Sequence, residues 1–97
     1  MSDENFKIIR SMKCLVCGSA NVDVHHIKTR GSGGSDQLWN LMPLCRREHQ
    51  EIHKIGNIKF IEKYINVANY LDINGWTILN NKLIHIENDQ IEFKNID

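Results

Sequence analysis

Apolar positions along this chain fall in short clusters whose spacing changes from stretch to stretch, and each change predicts an element. Val22-Asp23-Val24-His25-His26-Ile27 alternates β-branched with polar residues, the pattern of a strand. Arg30-Gly31-Ser32-Gly33-Gly34-Ser35-Asp36 carries three glycines in seven residues, which discourages regular structure and predicts a flexible loop. Asp36 is expected to cap the next element, either a short helical turn or a second strand through Leu38-Trp39-Asn40-Leu41-Met42. Pro43 marks the entry to a helix over roughly 44–55, with Leu44, Ile52 and Ile55 as its apolar side and Gly56 as its stop. A second helix over about 57–72 lines up Ile58, Ile61, Ile65 and Ala68, with Phe60, Tyr64, Val67 and Leu71 beside them. So broad an apolar face is expected to pack back onto the first half of the chain. Beyond Asn74-Gly75, two short strands are expected near 76–79 and 83–93, separated by polar turns at Asn80-Asn81 and Asn88-Asp89. Toward the start, residues 5–13 fit a short strand and a helical turn equally well. Cys14-Leu15-Val16-Cys17-Gly18 reads as a knuckle, two thiols on a tight turn closed by glycine.

Length and composition narrow the class. Ninety-seven residues make a single domain, 1–97, with a modest core of the size that often relies on a metal or other staple. An apolar content of 41% and a mean hydropathy of −0.40 describe a soluble chain, and no apolar run approaches the ~18 residues of a membrane span. Met1-Ser2-Asp3-Glu4-Asn5 is polar and acidic, unlike a secretory signal, so a cytoplasmic location is expected. There the three cysteines stay reduced and are better read as ligands than as a disulfide framework. The net charge of zero hides an asymmetry: residues 7–54 hold eight Lys and Arg against four acids, whereas 55–97 hold four lysines against six. The basic half is where a polyanion would dock.

That half also holds four of the five histidines. His49 and His53 are four apart on the expected helix, so both rings project from one face and suit a single cation. His25 and His26 are neighbours on an extended segment and point to opposite sides, which assigns them different work. One can complete a three-histidine site, and the other can act on a water. A histidine base needs its second ring nitrogen engaged elsewhere, and the side-chain carbonyl of Asn40 can accept that bond without adding charge. Three neutral nitrogen ligands, a base and an orienting amide are the parts required to hydrolyse a phosphodiester around one metal ion.

Asp23-Val24-His25-His26-Ile27, Gly33-Gly34-Ser35-Asp36, Asn40-Leu41, Leu44-Cys45, His49 and His53 occur in the order and spacing of the HNH endonucleases, which this chain resembles. The resemblance is strongest to the small HNH proteins of bacteriophages and prophages. It implies an α+β fold: a ββα-metal core over about 14–56, with a helix and short strands over about 57–97. It implies His25, His49 and His53 as ligands of one catalytic divalent ion (Zn, Ni, Mn or Mg), His26 as general base and Asn40 as the residue that orients it. The implied substrate is DNA, with RNA still open, cut to leave 5′-phosphate and 3′-hydroxyl ends. Many HNH proteins also carry a structural zinc on two cysteine pairs. Here Cys14, Cys17 and Cys45 match, but Glu48 stands where the fourth cysteine would be, so the site is either a three-thiolate, one-carboxylate zinc or three packed thiols.

Lys28, Arg30, Arg46 and Arg47 are candidate phosphate contacts, since backbone-directed cations give sequence-independent affinity. Asp23, two residues from His25, is either a partner for a ligand or a solvated strand residue. Trp39 and Trp76 read as core residues, and His85 as a surface or packing residue. The alternative to a nuclease is a non-catalytic, zinc-stabilised nucleic-acid-binding module, but such a site would leave one histidine and an asparagine spare. Oligomeric state, and with it nicking against double-strand cleavage, is not written in the sequence.

Overall fold

The computed structural model describes residues 2–87, so the Asn88-Asp89 turn and the end of the last expected strand lie outside the described residues. Among these, four helices and two small antiparallel sheets form an α+β chain: α1 (Ser2–Arg10), β1 (Asp23–His26), β2 (Leu41–Leu44), α2 (Arg46–Ile55), α3 (Asn57–Lys63), α4 (Ile65–Ile73), β3 (Trp76–Leu79) and β4 (Lys82–His85). No helix among the described residues is long and apolar enough to cross a membrane.

Helix α1 settles the ambiguity at the start of the chain. Asp3 and Glu4 lie in its first turn and Lys7 and Arg10 in its last, each sign matching the helix dipole, while Ile9 is buried. The Cys14–Gly18 knuckle is held by the Gly18 N–H on Cys14 O (2.9 Å) and the Cys14 N–H on Ser19 O (2.8 Å). Strand β1 pairs with β2 in the register Asp23↔Leu44, Val24↔Pro43, His25↔Met42 and His26↔Leu41. Pro43 therefore sits inside β2 and does not open a helix, contrary to the sequence expectation. A two-stranded sheet has only edge strands, so a residue without an N–H is tolerated there. All of β2 is buried, and α2 begins two residues later than expected, at Arg46.

Between the strands, the glycine-rich loop contains one short 3-10 turn, Arg30–Ser32, and a second, Leu38–Asn40, leads into β2. A Cβ on Gly34 would lie 1.7 Å from Lys28 O, so only glycine lets the loop fold back on the end of β1. Asp36 caps neither turn; Gln37 occupies the cap position, without a side-chain hydrogen bond.

The expected helix over 57–72 is two helices. Tyr64 is extended (φ −124°, ψ 106°) and separates α3 from α4. Its hydroxyl donates to Glu51 Oε1 (2.7 Å) and its ring packs on Phe60 at 4.8 Å, so tertiary contacts to α2 and α3 hold the break. Gly56, at φ 89°, makes the turn between α2 and α3 that a side chain would strain. The core then gathers Cys14, Ile27, Met42, Leu44, Ile52, Phe60, Val67, Leu71 and Trp76 beneath the β1–β2 hairpin and α2. Trp76 Nε1 donates to Trp39 O (2.7 Å), and buried His85 stacks on Trp39 at 4.0 Å, placing all three in packing roles. Asn80 and Asn81 take the two positive-φ positions of the β3–β4 turn.

Candidate metal centre and cleft

The hairpin and α2 bring three histidines to one point. The His25, His49 and His53 rings lie 5.0–5.3 Å apart, and one ligand nitrogen from each falls within 4.8 Å of the others. His25 is buried, and its Nε2 has no hydrogen-bond partner. Burial first, then the nearby His49, His53 and His26 rings, push His25 down to about 3, so the ring stays neutral around neutral pH. A buried, unpartnered nitrogen on a neutral imidazole is costly unless something accepts its lone pair. These residues fit a divalent cation.

Asp23 supports the trio from the same strand face. Its Oδ2 accepts from His49 Nδ1 (3.0 Å) and from Arg46 Nε (2.8 Å). The Arg46 hydrogen bond and then that of His49 hold the Asp23 carboxyl below its ordinary range. With Nδ1 engaged by a carboxylate, Nε2 is the His49 nitrogen left to serve as a ligand.

His26 faces the other way, as strand alternation predicts. Its Nε2 lies 2.7 Å from Asp36 Oδ1 and its ring meets the edge of Phe6 from α1 at 5.8 Å. The two sides meet in an open cleft of about 540 Å³ lined by Phe6, Arg10, His25, His26, His49 and His53 among others.

Among the described residues, the hydrogen bonds of Asn40 go to the backbone and that of His26 to Asp36. Asn40 is fully buried; its Oδ1 accepts the Lys28 N–H (2.8 Å), and its Nδ2 donates to Lys28 O (3.0 Å) and Ser35 O (2.7 Å). The amide thus ties together the two ends of the glycine-rich loop. The hydrogen bond expected between Asn40 and His26 is not among these: the amide bonds backbone groups of Lys28 and Ser35 instead.

The cysteines form a second cluster. Ligand atoms of Cys14, Cys17 and Cys45 lie within 4.8 Å of one another, with Cys17 Sγ and Cys45 Sγ 3.7 Å apart. Glu48 is buried beside them: its Oε2 accepts from Cys45 Sγ (3.0 Å) and both its oxygens accept from Arg47. Burial, then the Glu48 carboxylate, push the Cys45 thiol up to about 11. At Cys14 burial raises the thiol, but the N–H groups of Cys17, Cys45 and Val16 outweigh it and leave the thiol lowered. Three sulfurs and a carboxylate gathered in this way are a set that zinc takes.

The candidate phosphate contacts are distributed around these sites. Arg30, Arg46 and Arg47 are exposed, and each is paired with a carboxylate, on Asp36, Asp23 and Glu48 respectively. Lys28 borders a neighbouring groove of about 410 Å³ with Asn57 and Lys82. Sequence reasoning missed Phe6 and Arg10, which line the histidine cleft from α1, because their approach depends on contacts distant along the chain. It also missed the Asp36–His26 pairing, which only the folded loop creates.

Residues 3–87 match the family described as "Putative HNHc nuclease", and the chain belongs to that HNH nuclease family. It is 33% identical over 60 residues to anaredoxin of Nostoc sp. (strain PCC 7120), covering 60% of this chain and 78% of that protein. It is 32% identical over 59 residues to "Uncharacterized protein YdfU" of Escherichia coli (strain K12), covering 58% of this chain but only 17% of YdfU's length. No solved structure matches the chain.

Proposed function

We propose that this chain is a divalent-metal-dependent endonuclease that hydrolyses DNA phosphodiester bonds, built on a ββα-metal core of β1, β2 and α2. Two observations carry the reading: His25 Nε2 is buried without a partner, and a ring nitrogen from each of His25, His49 and His53 lies within 4.8 Å of the others. Those three residues would hold the ion through neutral imidazole nitrogens, with Asp23 fixing the ring of His49. When bound, the ion supplies Lewis acidity toward a phosphoryl oxygen and the leaving 3′-oxygen. His26 is the general base: it takes a proton from the attacking water. Asn40 acts at one remove, bracing the loop that borders His26. Arg30, Arg46, Arg47 and Lys28 contribute cations along the path of the phosphate backbone, and imidazole ligands favour a borderline transition ion over magnesium.

Cys14, Cys17, Cys45 and Glu48 are proposed to hold a structural zinc that joins the knuckle to the start of α2. Its role is stability, because none of these residues lines the histidine cleft.

Incubating the chain with supercoiled plasmid and Mg, Mn, Ni or Zn tests the function. Conversion to nicked or linear DNA by the wild-type chain but not by His26→Ala is the expected outcome. Metal-dependent DNA binding without cleavage would instead favour the non-catalytic module.

A further inference from the structure

We propose that Asp36 is the positioning residue for His26, taking the Nε2–H so that Nδ1 is the nitrogen that receives the water's proton. This role rests on the nuclease reading.

The geometry around Asp36 is over-determined. Three donors converge on Oδ1: His26 Nε2 at 2.7 Å, Arg30 Nη2 at 3.1 Å and Arg30 Nε at 3.2 Å. Arg30 Nη2 also reaches Oδ2 at 3.2 Å. The backbone is held independently, because Asn5 Nδ2 on α1 donates to Asp36 O (2.9 Å) and Asn40 Nδ2 donates to the adjacent Ser35 O (2.7 Å). Three elements therefore fix one carboxylate beside one imidazole: α1, the residue preceding β2, and the loop's own arginine. The hydrogen bond from His26, followed by Arg30, holds the Asp36 carboxyl below its ordinary range, keeping it an acceptor. A carboxylate with no proton to give can only accept, so the neutral ring must place its hydrogen on Nε2. Nδ1 is then the bare nitrogen. In the reaction an O–H bond of water breaks and its proton goes to Nδ1. The electron pair left on oxygen forms the new P–O bond as the P–O3′ bond breaks, and the pair from that bond leaves with the 3′-oxygen.

The same arrangement gives Asn40 a role at one remove from the base. By clasping Lys28 and Ser35 it sets where Asp36 emerges from the loop, and Asp36 does the orienting.

The test uses the full, zinc-loaded, nitrogen-15-labelled chain, in which NMR of the His26 ring reads which nitrogen carries hydrogen at alkaline pH, with His26→Gln as the assignment control. Two substitutions separate acceptor from scaffold. Asp36→Ala removes the acceptor but leaves the backbone bond to Asn5, whereas Asp36→Asn can keep its carbonyl oxygen where the three donors meet. For Asp36→Ala the expectation is a kcat lower by about 10–100-fold, with KM and the metal affinity of the histidine site changed less than about threefold. For Asp36→Asn the expectation is recovery to within about fivefold of wild type, with His26 still protonated at Nε2. A wild-type ring with its hydrogen on Nδ1, wild-type kcat in Asp36→Ala, or no difference between the two variants would overturn the proposal. Failure of the wild-type chain to cut DNA with any ion would remove the nuclease reading instead, and the ring's protonation would still decide whether Asp36 orients His26.

Discussion

Asp23 gives the sharpest way to separate metal binding from folding. Its carboxylate is shared between His49 Nδ1 at 3.0 Å and Arg46 Nε at 2.8 Å. Replacing it by alanine removes both bonds, but they differ in consequence. Arg46 is 76% exposed, so its ion pair is of the surface kind, contributing about 0–1 kcal/mol to stability. The His49 bond instead fixes the orientation and tautomer of a proposed ligand, and losing such a support lowers metal affinity about 10–100-fold, or about 1.4–2.7 kcal/mol. The Asp23→Ala chain should therefore melt, metal-free, within a few degrees of wild type while binding metal far more weakly. Cobalt(II) titration followed by calorimetry measures the affinity, and the thiolate charge-transfer absorption of cobalt reads the cysteine site separately. Asp23→Asn, which keeps one acceptor oxygen, should fall between the two. An unchanged affinity at the histidine site in Asp23→Ala, or a loss of folding equal to the loss of affinity, would rule out this role for Asp23.

The same contacts set other expectations. Asn40→Ala removes three buried hydrogen bonds and should cost about 2–4 kcal/mol in denaturant unfolding, with cleavage falling alongside. Cys17→Ser should lower bound zinc by one equivalent per chain and reduce the melting temperature, yet leave residual cleavage by the folded fraction; full zinc content would contradict the structural site. In the metal-free chain, His25 is held near 3 while folded but titrates near its ordinary 6.5 when unfolded, so the unfolded state binds more protons between those values. Asp23, Asp36 and Glu48, each held low by its hydrogen-bonded partner (first Arg46, His26 and Arg47), add stability that is present above the ordinary carboxylate range and lost below it. Stability should therefore fall steadily as pH drops from about 7 toward 3, and His25→Gln should remove the upper part of that fall. A melting temperature independent of pH over this range would contradict the burial of His25.

Which features were legible in the sequence depends on the range of the forces that set them. The alternation around His25 and the four-residue step from His49 to His53 are local, and the histidine trio they imply is gathered as spacing suggested. The Cys14–Gly18 knuckle is local as well. The break at Tyr64 is not, because it is held by Glu51 on another helix, and the apolar stripe continues straight through it. Pro43 misled for a similar reason: proline at a helix entry is a local preference, and pairing with Val24 across the hairpin overrode it. Asp36 had the composition of a cap, but His26 and Arg30, brought to it by the folded loop, took its carboxylate. Asn40 likewise hydrogen-bonds Lys28 and Ser35, which the sequence around it does not announce.

The function proposed for this chain depends on His25, His49 and His53 holding a single divalent ion beside His26. Anomalous X-ray scattering from crystals of the full chain grown with nickel or zinc would locate that ion. A metal peak is expected about 2.0–2.1 Å from a ring nitrogen of each of the three, with an open side toward His26. A metal-saturated crystal with no peak among those rings, or with His26 as a ligand in place of one of them, would contradict it.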